Sequence, residues 1–420
     1  MSARRSGRTA VTLFSGGRGG ASIARGLLRT PGIDVSLVIN GYDNGRSTGA
    51  LRRYLPGMLG PSDFRKNLLL HLDDRDPRQA ALISVLEHRL PAGTTREALG
   101  ELVEAIGSTA SEGRAGPPAF PALPPRARTA ILRDLAALLC RLDSHPDGLD
   151  LTDCALGNLV FAGAYLRVGG DFNAAVRACA RTFESPARLL NVTNGENAFL
   201  VALKQDGRLL ADEADIVAPQ DAAAIIDLFL LREPVTPARR AELEAHPVEE
   251  ARRILARHRA MVSPNPEARE AIRNADLLVY GPGTPHSSLL PSYLTPGIAD
   301  AIAESRATAK VFVVNTRDDH DVQGLSAPEL VGRTLSYLGD PRNERSTVTH
   351  VLCHRAAARA TAAPKAPRLP SGVVDGGVWA GARWITADLE DPERPGVHCG
   401  PRTVRALTEI AGEAALAGVR

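Results

Sequence analysis

Apolar and polar positions along this chain alternate between two kinds of pattern. Val11-Thr-Leu-Phe14 is a short apolar, β-favouring run that ends in Ser15-Gly-Gly-Arg-Gly-Gly20, and residues 21–28 then carry apolar side chains at helical spacing. The order predicts strand, glycine turn, helix. A second apolar run, Val35-Ser-Leu-Val-Ile39, follows the Thr30-Pro-Gly32 turn. The opening therefore reads as a βαβ unit, which implies a parallel sheet with a right-handed crossover. Residues 40–49 form a polar, glycine-containing loop, and Ser62 in Pro61-Ser-Asp-Phe-Arg-Lys-Asn67 is the predicted N-cap of the next helix.

Helical patterns at 78–90, 96–106 and 126–142 are separated by a Gly/Pro/Ala stretch at 112–125, which marks a helical insertion at about 74–151 with a flexible connector. Strand signals return at 187–190 and 199–203, and a helical segment is predicted over 220–260. Ala275-Asp-Leu-Leu-Val-Tyr280 then runs into Gly281-Pro-Gly-Thr-Pro-His286, and Val311-Phe-Val-Val314 ends at Asn315. No repeat of 20–50 residues is present, and 356–370 is a low-complexity Ala/Arg/Pro loop. The expected fold class is α/β: a Rossmann-like three-layer parallel sheet with a helical insertion and a smaller appended lobe. Residues 1–350 would form the nucleotide-binding unit, with the insertion at 74–151 and the lobe at about 204–270 inside it, and 351–420 a C-terminal extension packed on that unit.

Composition narrows the field. A length of 420 residues suits one large α/β unit with insertions, or two domains, and 44% hydrophobic with 23% charged residues is enough to bury a sizeable core. Lys plus Arg number 50 against 48 Asp plus Glu, a net charge of +2, so no bulk field draws the chain to nucleic acid or anionic lipid. No apolar run approaches the roughly 18 residues of a membrane-spanning helix, and no h-region follows the first residues, so the expected location is cytoplasmic. Cys140, Cys154, Cys179, Cys353 and Cys399 lack paired spacing, which argues for reduced thiols, without a disulfide framework or a zinc site. Aromatics are only 4%, whereas Gly and Pro number 38 and 30, and the glycines cluster.

Ligands of open parallel sheets bind beyond the carboxyl ends of the strands. Three loops meet that condition: 15–20, 40–49 and 281–288. The first leads into a helix N-terminus suited to phosphate, yet it matches neither G-x-G-x-x-G nor the P-loop. A tight turn that merely packs a helix on a strand is its bland counterpart. The second carries Asp43 with Asn44, Arg46, Ser47 and Thr48, followed by Asp63, Arg65, Lys66 and Asn67. A carboxylate beside hydroxyls, amides and cations is what a Mg²⁺-bridged phosphate requires. Asp318, Asp319, His320 and Asp321 form a further cluster that reads better as a solvated turn, and His71 reads as a packing histidine. Ile39 runs into Asn40 and Gly41 with no acid closing the second strand, which disfavours an NAD(P) oxidoreductase.

Ser15-Gly-Gly-Arg-Gly-Gly20, the Asp43 loop, Gly57-Met-Leu-Gly-Pro-Ser-Asp-Phe-Arg-Lys-Asn67, Gly157-Asn-Leu159, Gly281-Pro-Gly283 and Leu290-Pro-Ser-Tyr-Leu-Thr-Pro-Gly-Ile298 together resemble the ordered motifs of the CofD/YvcK superfamily. Its members are the 2-phospho-L-lactate transferases of deazaflavin-coenzyme biosynthesis and the YvcK-type gluconeogenesis factors. The resemblance runs from about residue 11 to residue 338. It implies an Mg²⁺-dependent transferase in which a nucleoside-diphospho donor gives a phospho-linked group to a small hydroxylated acceptor and a nucleoside monophosphate leaves. The alternative it implies is a regulator that binds a nucleotide sugar without turnover, and in either case a homodimer. Carried over by motif, Gly16, Gly17, Arg18, Gly19, Gly20, Ser47, Thr48, Asn67, Asn158, Gly281 and Gly283 would bind nucleotide or phosphate. Asp43, Asp63 and Arg65 would be catalytic, with Asp43 and Asp63 holding the metal. The chain departs from the pattern where Arg18 replaces a threonine and Asn44 replaces the second acid of an Asp-Asp pair. The Ser-Pro-Asp-x-Asp-Thr run tied to the deazaflavin acceptor is absent, Asn191-Val-Thr-Asn194 stands where a Met-Thr-Asp is usual, and the 74–151 insertion is longer than in either branch.

Overall fold

The computed structural model describes residues 7–17, 19–108, 120–145, 148–219, 223–317, 325–355 and 381–417. Arg18, the 318–321 cluster, the 356–370 stretch and most of the 112–125 connector lie outside them, as does the Arg46 side chain. Ten strands are described: β1 (Thr9–Phe14), β2 (Ile33–Ile39), β3 (Arg188–Asn191), β4 (Phe199–Lys204), β5 (Leu209–Leu210), β6 (Ile225–Leu231), β7 (Leu277–Tyr280), β8 (Ala309–Val313), β9 (His350–His354) and β10 (Arg383–Ala387).

Seven of them form one sheet in the order β10-β9-β8-β7-β1-β2-β3. The pairs β1–β2, β1–β7, β7–β8, β8–β9 and β9–β10 are all parallel, with Val11 opposite both Val35 and Leu277. This is the Rossmann-like α/β sheet with flanking helices that the opening βαβ pattern implies. Val11, Leu13 and Phe14 of β1 are buried without alternation, because a parallel strand is covered on both faces. Strand order reverses beside β1: β2 and β3 lie on one side of it, β7 to β10 on the other. The carboxyl ends of β1 and β7 therefore flank the switch point where such sheets take their ligands. Phe14 stacks on Tyr280 at 5.7 Å, and Tyr293 meets both rings edge-on at 5.2 and 5.5 Å, forming a rigid apolar floor below that point.

The chain divides into two compact units, residues 1–40 with 190–420, and residues 41–189. In the first, β5-β4-β6 make a small antiparallel sheet whose core joins Val201, Leu203, Leu209, Phe229 and Leu231 to Leu243 and Leu255 of the two helices that follow. The helical reading of 220–260 is corrected here. Residues Ile225–Leu231 are strand β6, and of the described residues of that segment only Pro237–Glu244 and Val248–Arg257 are helical. Apolar at every position but Asp227, this run has no period to separate a buried strand from a buried helix. After β10 joins the sheet edge, the helix Gly400–Ala417 packs on the helix Ala21–Arg29, and a Cβ on Gly400 would stand 2.3 Å from the Ser22 carbonyl oxygen.

Among its described residues before β3, the regular elements of the second unit are all helical. Its centre is Leu156–Arg167, buried at every position from Leu156 to Tyr165, as a helix apolar all round must be. Gly163 admits the backbone of the neighbouring helix Pro125–Ser144, since a Cβ there would meet the Asp134 carbonyl oxygen at 1.8 Å. The 40–49 loop is shorter than its composition suggested: a helix, Arg46–Tyr54, starts inside it. Ser62 is the first residue of the helix Ser62–Leu68, with Pro61 in the cap position, because its hydroxyl is engaged elsewhere.

Candidate functional site

In the first unit, the glycine loop after β1 and the Gly-Pro-Gly turn after β7 come into contact at the switch point. A Cβ on Gly19 would lie 2.3 Å from Gly283 Cα, and one on Gly16 would lie 2.4 Å from Ser288 Cβ. Gly281 is equally constrained, its Cβ position being 2.6 Å from the Phe14 carbonyl oxygen, and Gly283 has φ +149°. Only glycine allows the two loops this approach. Gly17 is a half-buried bend residue between them. Gly20 occupies the cap position of the helix Ala21–Arg29, where no side chain caps the helix and no acid stands in its first turn. Its leading N–H groups and dipole therefore favour an anion.

The turn is fixed by Asn315, whose amide bonds both backbone groups of one residue. Its Oδ1 accepts from Gly283 N–H at 2.9 Å, and its Nδ2 donates to the Gly283 carbonyl at 3.0 Å. Asn40, at the end of β2, donates to the Ser288 carbonyl at 2.5 Å. A short π-helix, Pro285–Leu289, follows the turn. Such irregular turns recur at functional positions. Neither Asn315 nor Asn40 stood out as a site residue in the sequence. The signal available was an asparagine at the carboxyl end of a predicted strand, which is where side-chain amides hold loops.

In the second unit, Asp43 accepts Gly45 N–H at 2.9 Å, and the buried Arg52 donates to the Tyr42 and Asp43 carbonyls at 2.7 and 2.9 Å, which holds the acid on a tight turn. Asp63 is buried and its Oδ1 pairs with Lys66 Nζ at 2.9 Å. Burial raises the Asp63 pKa, Lys66 opposes that shift, and the Asp43 charge adds to it, so the two acids feel each other. Each carboxylate spends one oxygen in these contacts. Asn67, also buried, donates to the Asp63 carbonyl at 2.8 Å.

Behind the acids runs a buried polar chain. Thr48 Oγ1 and Ser62 Oγ are 2.7 Å apart, Asn158 Nδ2 donates to Ser62 Oγ at 3.0 Å, and Arg65 Nε donates to Asn158 Oδ1 at 3.0 Å. Arg65 also reaches Glu87 at 3.7 Å, and Gly157 leaves room for it, a Cβ there being 2.6 Å from Arg65 Cδ. The structure thus commits Thr48, Arg65 and Asn158 to one another. Ser47, one residue on from the start of Arg46–Tyr54, bonds the Cys154 thiol, whose pKa burial pushes up to about 11. His71 hydrogen-bonds the Leu68 carbonyl at 3.0 Å, and burial lowers its pKa.

Asp43 and Asp63 offer two carboxylates, the hard-oxygen chemistry that would suit Mg²⁺. Among the described residues no group of three or more His, Cys, Asp or Glu side chains is placed to hold a metal. No described helix is long and apolar enough to cross a membrane.

Comparison with known proteins places these features. The family described as 2-phospho-L-lactate transferase CofD matches residues 11–368. A protein of Bacillus subtilis named gluconeogenesis factor is 25% identical over 305 residues, 73% of this chain and 67% of its own. A gluconeogenesis factor of Halalkalibacterium halodurans is 24% identical over 330 residues, 78% of this chain and 74% of its own. A crystal structure of a UPF0052-family protein from Bacillus halodurans superposes with a TM-score of 0.62 at 21% identity, covering 95% of this chain and 99% of that one. At that identity the likeness concerns the fold.

Proposed function

Because the chain belongs to the family of the 2-phospho-L-lactate transferase CofD, we propose that it is an Mg²⁺-dependent transferase. It takes a phospho-linked group from a nucleoside-diphospho donor to a small hydroxylated acceptor and releases a nucleoside monophosphate. The observation that carries this reading is the contact of Gly19 with Gly283 at the switch point, beside an uncapped helix N-terminus. That geometry offers backbone amides where a diphosphate needs them.

In this reading Gly16, Gly17, Gly19 and Gly20 hold one phosphate through the chain's N–H groups, and the Gly281–Gly283 turn, braced by Asn315, keeps the loop in shape. Asp43 and Asp63 are the residues that would hold Mg²⁺. An ion held there would supply Lewis-acid charge neutralisation. Lys66 holds Asp63 at its rim and adds positive charge beside it. The Thr48–Ser62–Asn158–Arg65 chain acts one step back, as the frame that fixes the helix carrying Asp63. Phosphoryl-type transfer asks mainly for such positioning and charge stabilisation.

A second reading, a regulator that binds a nucleotide sugar without turnover, is favoured by one feature: Asn44 stands beside Asp43, so this turn supplies a single acid. The relatives' printed name, gluconeogenesis factor, agrees with it. Calorimetry with GDP, UDP-sugars and CDP derivatives, with and without Mg²⁺, separates the two. The transferase releases a monophosphate when an acceptor is present, and the regulator returns its ligand intact. Asp43→Asn should abolish turnover with an unchanged far-UV circular dichroism spectrum. Full activity in that variant would sink the assignment.

A further inference from the structure

The first unit carries a second concavity that the proposed reaction does not use. A groove of about 670 Å³ runs between β6 and the helix Ala327–Tyr337. Its size is in the range of small-molecule pockets. Leu228, Leu294 and Leu325 give it an apolar wall, and Arg259, Arg333 and Tyr337 bring polar atoms to it.

Its charges are unevenly answered. Asp227 is paired with Arg252 at 2.5 Å. The Glu329 carboxylate is drawn to the start of its own helix, where it accepts from Ser326 N–H at 2.7 Å and Ser326 Oγ at 2.6 Å, contacts that hold its pKa low. Both acids are thus engaged with other groups. The arginines are less fully answered: among the described residues neither Arg259 nor Arg333 forms an ion pair, and Arg333 feels the Glu329 charge only at longer range. Arg259 lies exposed over the Phe229 ring at 5.6 Å. Arg333 donates to the Ile225 carbonyl and lies 3.2 Å from His286 Nε2. Burial raises the Tyr337 pKa, so its phenol stays a neutral hydroxyl. Two guanidinium groups with no carboxylate at ion-pair distance, in a groove with an aliphatic wall, form a complementary surface for one kind of ligand.

We infer that this groove binds a small organic oxyanion, a carboxylate or phosphate ester, whose apolar body rests on Leu228, Leu294 and Leu325. The anion bridges Arg259 and Arg333. Arg333 also lines the small cavity beside Gly281 and Gly283, so the ligand touches a residue shared with the glycine turn. The inference stands whether or not the transferase reading holds.

The test is titration calorimetry of the full chain with hexanoate, hexyl phosphate, acetate and inorganic phosphate. Saturable binding is expected for at least one hexyl compound, more tightly than for the acetate or inorganic phosphate that shares its head group, and the better of the two identifies the head group. Arg259→Gln should weaken it about tenfold, the size of one lost charge-assisted hydrogen bond. Ser336→Trp, at an exposed position lining the groove, should abolish it by filling the space. Arg239→Gln, at an arginine paired with Glu242 away from the groove, should change nothing. Thermal melts of each variant check the fold. The inference is overturned if neither hexyl compound binds, if the small anions bind as tightly, or if Arg259→Gln and Ser336→Trp bind like the Arg239→Gln control.

Discussion

Asp63 shows what a buried acid costs at the level of a single side chain. Its carboxyl is buried, next to another acid, with one lysine as compensation. Its pKa in the folded protein is therefore above the unfolded value, and the folded state binds the proton more tightly. That contribution to stability is fully present below the unfolded pKa and is lost as pH rises through the folded one. On the proposed reading, a cation beside Asp63 would offset the cost of its negative charge. Asp63→Asn removes the charge and keeps the shape, so the variant should melt higher than the parent at neutral pH without divalent ions. The difference should shrink as pH falls towards the unfolded carboxyl range. Adding Mg²⁺ should raise the parent's melting temperature and leave the variant's unmoved. A parent that melts identically with and without Mg²⁺ at neutral pH would remove the cation from this site.

At the level of elements, the switch point depends on two loops touching through glycine, and the glycines are not equivalent. Alanine at Gly19 would press its Cβ to 2.3 Å from Gly283 Cα, backbone against backbone, whereas at Gly20 the nearest atom is Ser15 Oγ at 3.5 Å, an ordinary contact. Gly19→Ala should therefore cost about 1–3 kcal/mol, the usual range for overpacking, and weaken nucleotide binding. Gly20→Ala should be close to neutral. Urea denaturation of both variants checks this, and equal midpoints would mean the loops part freely. These loops were legible in the sequence because strand, glycine turn and helix follow one another locally, and so was the parallel sheet. What was not legible had one of two physical causes. Strand β6 is apolar except at Asp227 and does not alternate, so period could not identify it. The roles of Arg65, Asn158, Asn315 and Asn40 depend on partners 93, 93, 32 and 248 residues away, which local pattern does not encode. Arg65 and Asn158 read as ligand-facing polar residues from the motif, and the fold spends their side chains on each other.

For the molecule as a whole, most ion pairs join exposed side chains, and pairs of that kind contribute little each. Stability must come from burial, and the C-terminal helix Gly400–Ala417 is a direct measure of how far the core extends. It lies outside the family match, which ends at residue 368, yet Val404, Leu407 and Ile410 are buried and Gly26 and Gly400 let it approach the helix Ala21–Arg29 closely. That first helix starts at the glycine loop, so the C-terminal helix braces the glycine-loop side of the switch point. Leu407→Ala should cost about 2–5 kcal/mol, a large part of the 5–15 kcal/mol typical of a folded domain. Leu416, on the same helix but 73% exposed, is the internal control, and its replacement by alanine should stay within about 0.5 kcal/mol. Urea unfolding of the two variants reads the difference directly. If the helix is integral, Leu407→Ala lowers the midpoint and also the affinity for nucleotide, because the wall it braces is loosened. If Leu407→Ala matches Leu416→Ala in both readings, the helix is an appendage and the site is built without it.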